Sequence, residues 1–299
     1  MNTSGKKNLS ASIRQRLLNL SKERDIAFDL VLVRFAIERL LYRLSCSEHA
    51  EAFLLKGAML FAVWSPQAHR PTRDVDLLGF GHTELKDIEA VFKILCAQQV
   101  ADDGLAFVSS SVQVATIREE ARYGGVRVSM MAKLDNVRIP LQVDIGYGDA
   151  VTPGPETVTF PSLLGLQAPT LRAYPIYTVV AEKLEAIVSL GATNTRMKDF
   201  FDLWFLSETF DFQAGVLEQA VRATFERRDT PLPASDAIAG LSDAFAEERK
   251  AMWKSFLERN GLGIRDLAEI VQRLKHFLLP MVRMKSKPVL WKAGRGWED

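Results

Sequence analysis

His69-Arg70-Pro71-Thr72-Arg73-Asp74-Val75-Asp76-Leu77-Leu78 is the stretch on which the reading of this chain turns. Its second half is a short apolar run carrying two acids one residue apart. In an extended strand, residues i and i+2 face the same side. Asp74 and Asp76 therefore aim two carboxylates at one point. Like charges that close repel unless a cation sits between them. Mg²⁺ suits such a pair, because it takes one or two carboxylates and completes its shell with water and substrate phosphates. Arg70, Thr72 and Arg73, just upstream, carry donors that match those phosphates. The competing reading is a surface strand whose acids simply face water.

Working outward, Phe53-Leu54-Leu55 reads as a short buried strand that ends at Lys56-Gly57. Ala58 to Trp64 is apolar and helical in pattern, and Ser65-Pro66 marks a break. The order is strand, glycine turn, helix, then strand with paired acids. A glycine turn at a helix start presents backbone N–H groups to an anion. Each half of this arrangement is weak alone; together they point to a bound phosphate and its cation.

The rest of the chain divides in character. Residues 9–24 and 25–46 read as two helices; in the second, apolar residues recur at helical spacing, and Arg34, Glu38, Arg39 and Arg43 decorate the rest. Glu84 to Gln99 is an amphipathic helix. From about 105 to 147 the pattern is β, with Asp135-Asn136 as a hairpin turn. Pro140 places its strand locally at an edge or a bulge. A proline-rich connector covers 148–175. Helices are expected at about 176–190, 195–209, 211–227, 234–259 and 263–280. The expectation is an α+β fold: residues 1–170 form a mixed sheet with flanking helices, and 171–299 form an all-helical C-terminal domain.

Bulk properties narrow the class. The formal net charge is only +1, so any nucleic-acid binding must come from local patches. One such patch is the C-terminal end, where Arg273, Lys275, Arg283, Lys285, Lys287, Lys292 and Arg295 interleave with Trp291 and Trp297. A solvated tail is the simpler account of it. The two cysteines, Cys46 and Cys96, lack CxxC spacing, and the four histidines lack metal-ligand spacing. The N-terminus has no secretory core, and no apolar run is long enough to span a bilayer. The expected location is the cytoplasm, with no membrane contact.

Further acids and bases stand out. Asp144, flanked by Val143 and Ile145 on a strand, either completes a metal cage, acts as a base, or faces water. Asp149 is a weaker candidate in the turn that follows. Lys183 has Val179, Val180, Ala186 and Ile187 at helical offsets, so it either snorkels to solvent or reaches a buried anion. Glu182 and Glu185 fall off that stripe and are expected in solvent. In Arg196-Met197-Lys198-Asp199-Phe200-Phe201-Asp202-Leu203, Asp199 and Asp202 share a helix face. There, Lys198 and Asp202 either form an ordinary i,i+4 pair or belong to a polar face turned toward phosphates.

Taken in order, Leu55-Lys56-Gly57-Ala58, Arg70-Pro71-Thr72-Arg73-Asp74-Val75-Asp76-Leu77, Val143-Asp144-Ile145-Gly146, Ala181-Glu182-Lys183-Leu184-Glu185-Ala186 and Arg196-Met197-Lys198-Asp199-Phe200-Phe201-Asp202-Leu203 resemble the AbiEii/AbiGii toxin family of nucleotidyltransferases. That group is similar to the toxins of type IV toxin–antitoxin and abortive-infection systems and to the mycobacterial MenT toxins. The resemblance covers about residues 50–210. It implies a polymerase β-like nucleotidyltransferase core and a helical C-terminal domain. It implies metal binding by Asp74, Asp76 and Asp144, with Mg²⁺ as the cation and Mn²⁺ as a substitute. It assigns Lys183 to the nucleotide phosphates and Asp199 to orienting Lys183 or the nucleotide. Lys56, Gly57, Arg70, Thr72, Arg73, Lys198 and Asp202 would complete the nucleotide site. The implied reaction moves a nucleoside monophosphate from an NTP to an RNA acceptor, the tRNA 3′ end first among candidates. A cognate antitoxin is implied that need not touch the toxin. Many relatives carry a second glycine and a hydroxyl residue where this chain has Ala58-Met59, which bears on nucleotide affinity and base choice. Two other classes fit parts of the pattern: a catalytically weak RNA- or partner-binding module, and a glycosyltransferase using a nucleotide sugar through its DxD pair.

Overall fold

The computed structural model describes residues 3–65, 70–81, 83–118, 124–263, 265–283 and 289–299. His69, Lys285 and Lys287 lie outside the described residues. By internal contacts the chain divides into two units, residues 1–148 with 156–173, and residues 149–155 with 174–299.

The first unit begins with helices α1 (Thr3–Glu23) and α2 (Phe28–Ser45). Strand β1 (Phe53–Lys56), the short helix α3 (Leu60–Trp64), strand β2 (Asp74–Gly79) and helix α4 (Leu85–Ala97) follow. The long strands β3 (Leu105–Arg118), β4 (Gly124–Leu134) and β5 (Val137–Tyr147) come next, then the short strands β6 (Glu156–Thr159) and β7 (Thr170–Ala173). All seven strands form one sheet in the order β3-β4-β5-β2-β1-β7-β6. It is mixed: β2 runs parallel to β5, and β1 parallel to β7, while the other pairs are antiparallel.

Alternation along the strands explains the layering. Leu55, Val75, Leu77, Val128, Val143 and Ile145 fall on one face and are buried. Asp74, Asp76, Ser129, Gln142 and Asp144 fall on the other. Asp135 and Asn136 link β4 to β5 as a two-residue turn, and Asp135 takes the positive φ of 53° that such tight turns demand. Pro140 pairs with Met131 on β4, but β2 joins β5 only from Gln142 onward. The proline therefore sits where the β2 side is open, as its missing N–H requires.

Glu38, Arg39 and Arg43 of α2, which lie off its apolar stripe, are nonetheless almost wholly buried. The reason is Asp103, which accepts from Arg39 Nε at 2.9 Å and from Arg43 Nη1 at 2.6 Å. Glu38 accepts from the Leu163 backbone N–H at 2.7 Å and from the Ser162 hydroxyl at 2.9 Å. Burial pushes the Asp103 carboxyl up, but the two guanidinium groups outweigh it and hold it below the usual range. Burial wins at Glu38, whose carboxyl is raised despite its hydrogen bonds.

The second unit is mainly helical: α5 (Ile176–Leu190), α6 (Met197–Thr209), α7 (Ala214–Arg227), α8 (Asp243–Arg259) and α9 (Leu267–Arg283). It adds a three-stranded sheet that the periodicity did not announce, made of β8 (Phe212–Gln213), β9 (Leu290–Lys292) and β10 (Gly296–Glu298). Trp291 at its centre is fully buried, donates its indole N–H to the Ser207 carbonyl at 2.8 Å and packs on Phe277. This tryptophan is core, not a stacking platform for bases. Lys292 pairs with Asp211 and Arg273 with Glu208, so part of the C-terminal basic charge is used within the fold.

Glu182 and Glu185 are also not solvated. Glu185 is buried and accepts from Arg228 at 2.9 Å and from Thr230 at 2.7 Å. Glu182 and Asp149 both lie 3.1 Å from the same guanidinium. Burial opposes the charge on Arg228, but the three acids outweigh it and hold it protonated. Asp149 thus has a structural partner in this unit.

Candidate active site

Strand register assembles the acids of the first unit. Asp76 on β2 lies directly across from Lys56 on β1 and from Asp144 on β5. Asp144 in turn lies across from Arg127 on β4. Lys56, Asp76, Asp144 and Arg127 therefore form one row across four strands, with charges in the order plus, minus, minus, plus. The neighbouring row on the same face is Asp74, Gln142, Ser129 and Gln113. An open pocket of about 530 Å³ adjoins it, lined in part by Arg73, Asp74, Gln113, Ser129 and Gln142.

Gly57 shows why a glycine must follow Lys56. Its φ is +74°, in the left-handed region, and a Cβ there would stand 2.0 Å from Asp76 Oδ2. The backbone of Gly57 thus packs against the Asp76 carboxylate. Gly57→Ala is expected to displace that carboxylate and lower activity about 100-fold, since a shift of about 1 Å at a reacting centre can cost that much. The stability cost should be smaller, about 1–2 kcal/mol for the left-handed alanine. Parallel turnover and thermal-melt measurements check this; near wild-type turnover would show that Asp76 does not need its place beside Gly57.

Asp144 is engaged by a residue that sequence reasoning missed. Arg127 donates Nε to Oδ1 and Nη2 to Oδ2, both at 2.8 Å, and Gln142 Nε2 adds a longer contact at 3.3 Å. The hydrogen bonds to Asp144 raise the Arg127 pKa most; partial burial opposes this, and Asp74 and Asp76 add to the increase. Arg127 could have been suspected only after β4 and β5 were paired.

Arg73 pairs with Asp29 of α2 at 2.6 Å, with both side chains largely exposed. Thr72 makes a long contact of 3.5 Å to the Asp74 carbonyl. Arg70 is half-buried in a bend.

A divalent cation fits the chemistry of this face. Asp74, Asp76 and Asp144 offer hard oxygen donors, the preference of Mg²⁺ and Mn²⁺. Among the described residues, no three His, Cys, Asp or Glu side chains are gathered at one point as a metal group. Both oxygens of Asp144 are taken by Arg127.

The second unit holds the other candidates. Lys183 lies 2.8 Å from Asp199 Oδ1 and 2.7 Å from Asp202 Oδ2. Both acids are fully buried, and Arg196 Nε donates to Asp199 at 2.6 Å. Burial raises the Asp199 pKa, but Lys183 and Arg196 outweigh it and keep the carboxyl below the ordinary range. Of the two residues on offer, the lysine gripping this acid pair is Lys183, from α5; Lys198 is exposed.

The fold is α+β, with paired acids on the polar face of its sheet, and a family model matches most of the chain. That model, the nucleotidyl transferase AbiEii toxin of type IV toxin–antitoxin systems, matches residues 39–276. The chain belongs to this family. No curated protein matches it. Two solved structures from Helicobacter pylori are similar at 15% identity. JHP933 has a TM-score of 0.45, covering 81% of this chain and 87% of its own. A candidate nucleotidyltransferase has a TM-score of 0.47, covering 86% and 96%. No helix among the described residues is long and apolar enough to cross a membrane.

Proposed function

We propose that this chain transfers a nucleoside monophosphate from an NTP to the 3′ end of an RNA, with tRNA as the leading acceptor. The observation that carries the reading is the row on the polar sheet face, where Asp76 and Asp144 stand in register and Asp74 lies one step along. In the reaction, the acceptor hydroxyl gives up its proton to solvent and its oxygen forms a bond to the α-phosphorus. The bond from that phosphorus to the pyrophosphate bridging oxygen breaks, and pyrophosphate leaves with the electron pair.

Asp74 and Asp76 would hold Mg²⁺, or Mn²⁺ in its place, with Asp144 as third ligand. A cation so held supplies Lewis-acid charge at the α-phosphate and lowers the pKa of a bound hydroxyl. The chain's own task is positioning and charge, as in other phosphoryl transfers. Gly57 leaves room for the Asp76 carboxylate. Lys56, Arg70, Thr72 and Arg73 offer donors to the triphosphate. In the second unit, Lys183, held by Asp199 and Asp202, and Lys198 are proposed as further cations for phosphate. The pocket beside Asp74 has a volume in the range of small-molecule sites, and its amide and hydroxyl groups suit a nucleoside. In the cell, the modified acceptor would block translation, and the antitoxin would act without needing to bind the toxin.

The test is purified full-length protein with each labelled NTP, Mg²⁺ and total tRNA. Label is expected on tRNA with at least one NTP and none when EDTA is present. Absence of label with all four NTPs overturns the reading.

A further inference from the structure

We propose that Arg127 is the resting counter-ion of the acid row: it holds Asp144 until a cation–nucleoside triphosphate complex arrives, then exchanges Asp144 for the triphosphate. The inference deepens the reading above and rests on it for the identity of the triphosphate.

Asp76 and Asp144 are register partners on adjacent parallel strands, which lie about 4.8 Å apart. Asp74 shares their face. Three carboxylates so placed repel one another unless a cation compensates. The chain carries cations at both ends of the row: Lys56 is the register partner of Asp76, and on the other side Arg127 is the register partner of Asp144. Its planar fork takes both carboxylate oxygens at 2.8 Å, the bidentate geometry that makes such pairs strong. The guanidinium also feels Asp74 and Asp76.

Two features make the pair exchangeable. The side chains are 43% exposed at Arg127 and 24% at Asp144, so release exposes no core. The same fork also matches phosphate oxygens. A free divalent cation finds both Asp144 oxygens engaged by Arg127. A cation–triphosphate complex brings both the cation that Asp144 can bind and the anion that Arg127 can take. The three-acid set is then assembled by substrate instead of standing ready for any divalent ion.

The test uses the full chain and Arg127→Met, which keeps length and removes charge. Mn²⁺ binding without nucleotide is followed by electron paramagnetic resonance. Binding of a non-hydrolysable NTP analogue in the presence of Mn²⁺ is followed by calorimetry. At low ionic strength, Arg127→Met is expected to bind Mn²⁺ on the order of tenfold tighter and the analogue on the order of tenfold weaker. Opposite signs for the two ligands are not expected from a merely structural role. Mn²⁺ affinity that is unchanged or weaker overturns the proposal, and so does unchanged analogue affinity. Arg127→Lys, which keeps charge but loses the fork, is expected between wild type and Met for both ligands. It decides the question by the same signs if the Met variant does not fold by circular dichroism. Opposite shifts in a wild-type protein that transfers no nucleotide to RNA would support the counter-ion role and overturn the transferase reading alone.

Discussion

Asp76→Asn is expected to lower nucleotidyl transfer about 1,000-fold or more, with the fold left intact. In the proposed site, losing a metal-binding carboxylate would remove several kcal/mol of transition-state stabilisation, and each 1.36 kcal/mol is a factor of ten in rate. The side chain keeps its volume beside Gly57, so the contact there survives. Asp76 lies on the polar face, in a row with Lys56 and Asp144, and its loss opens no apolar cavity. It also relieves repulsion within the acid row. Stability should therefore stay within about 1 kcal/mol of wild type, as at functional sites that hold like charges together. Transfer assays beside denaturant titrations check both halves. Turnover above about a tenth of wild type would remove Asp76 from the metal site.

Lys183→Met is expected to destabilise the second unit by about 3–5 kcal/mol, the usual cost of leaving buried charge without its partner. Asp199 and Asp202 are fully buried, and Lys183 lies within 2.8 Å of each. Without it, two carboxylates face each other with the half-exposed Arg196 close to Asp199. The pH dependence carries a sign. In wild type the Asp199 pKa is held down, so its contribution is full above the ordinary carboxylate range and lost as pH falls through the folded value. In Lys183→Met, burial should raise that pKa instead, so the deficit should shrink as pH falls through the carboxylate range. Denaturant melts at several pH values measure this; a constant deficit, or none, would show that Lys183 does not balance the acids.

The second result changes how Lys183 variants are read. Lost activity in a single substitution reports folding as well as phosphate contact. The triple change Lys183→Met, Asp199→Asn and Asp202→Asn removes the unpaired charge. It should recover much of the stability, because neutral replacement of a buried ion group is often tolerated. Activity that stays lost in a refolded triple variant then speaks for nucleotide binding.

Period and punctuation made much of the fold legible. The two-residue period made Asp74 and Asp76 neighbours on one face, and Asp135-Asn136 announced the turn between β4 and β5. Helical spacing marked α5 and α6 to within two residues. Charge was misread wherever burial depended on a distant partner. Glu38, Arg39 and Arg43 look like solvent residues on a helical wheel until Asp103 and the Ser162–Leu163 segment are packed on them. Glu182 and Glu185 look solvated until Arg228 arrives. Trp291 sits in a basic tail and reads as an exposed ring until β8, β9 and β10 pair.

The same division runs through the site. Spacing along one strand is fixed by backbone geometry, so the aim of Asp74 and Asp76 at one point is written in adjacent residues. The row Lys56–Asp76–Asp144–Arg127 is written nowhere locally. It exists because hydrogen-bond register across four strands sets one residue beside another, and register depends on burying the opposite face of the sheet. The clash that bars a side chain at Gly57 and the grip of Arg127 on Asp144 both follow from that register. The chain's order supplied the acids; packing of the apolar face supplied their partners.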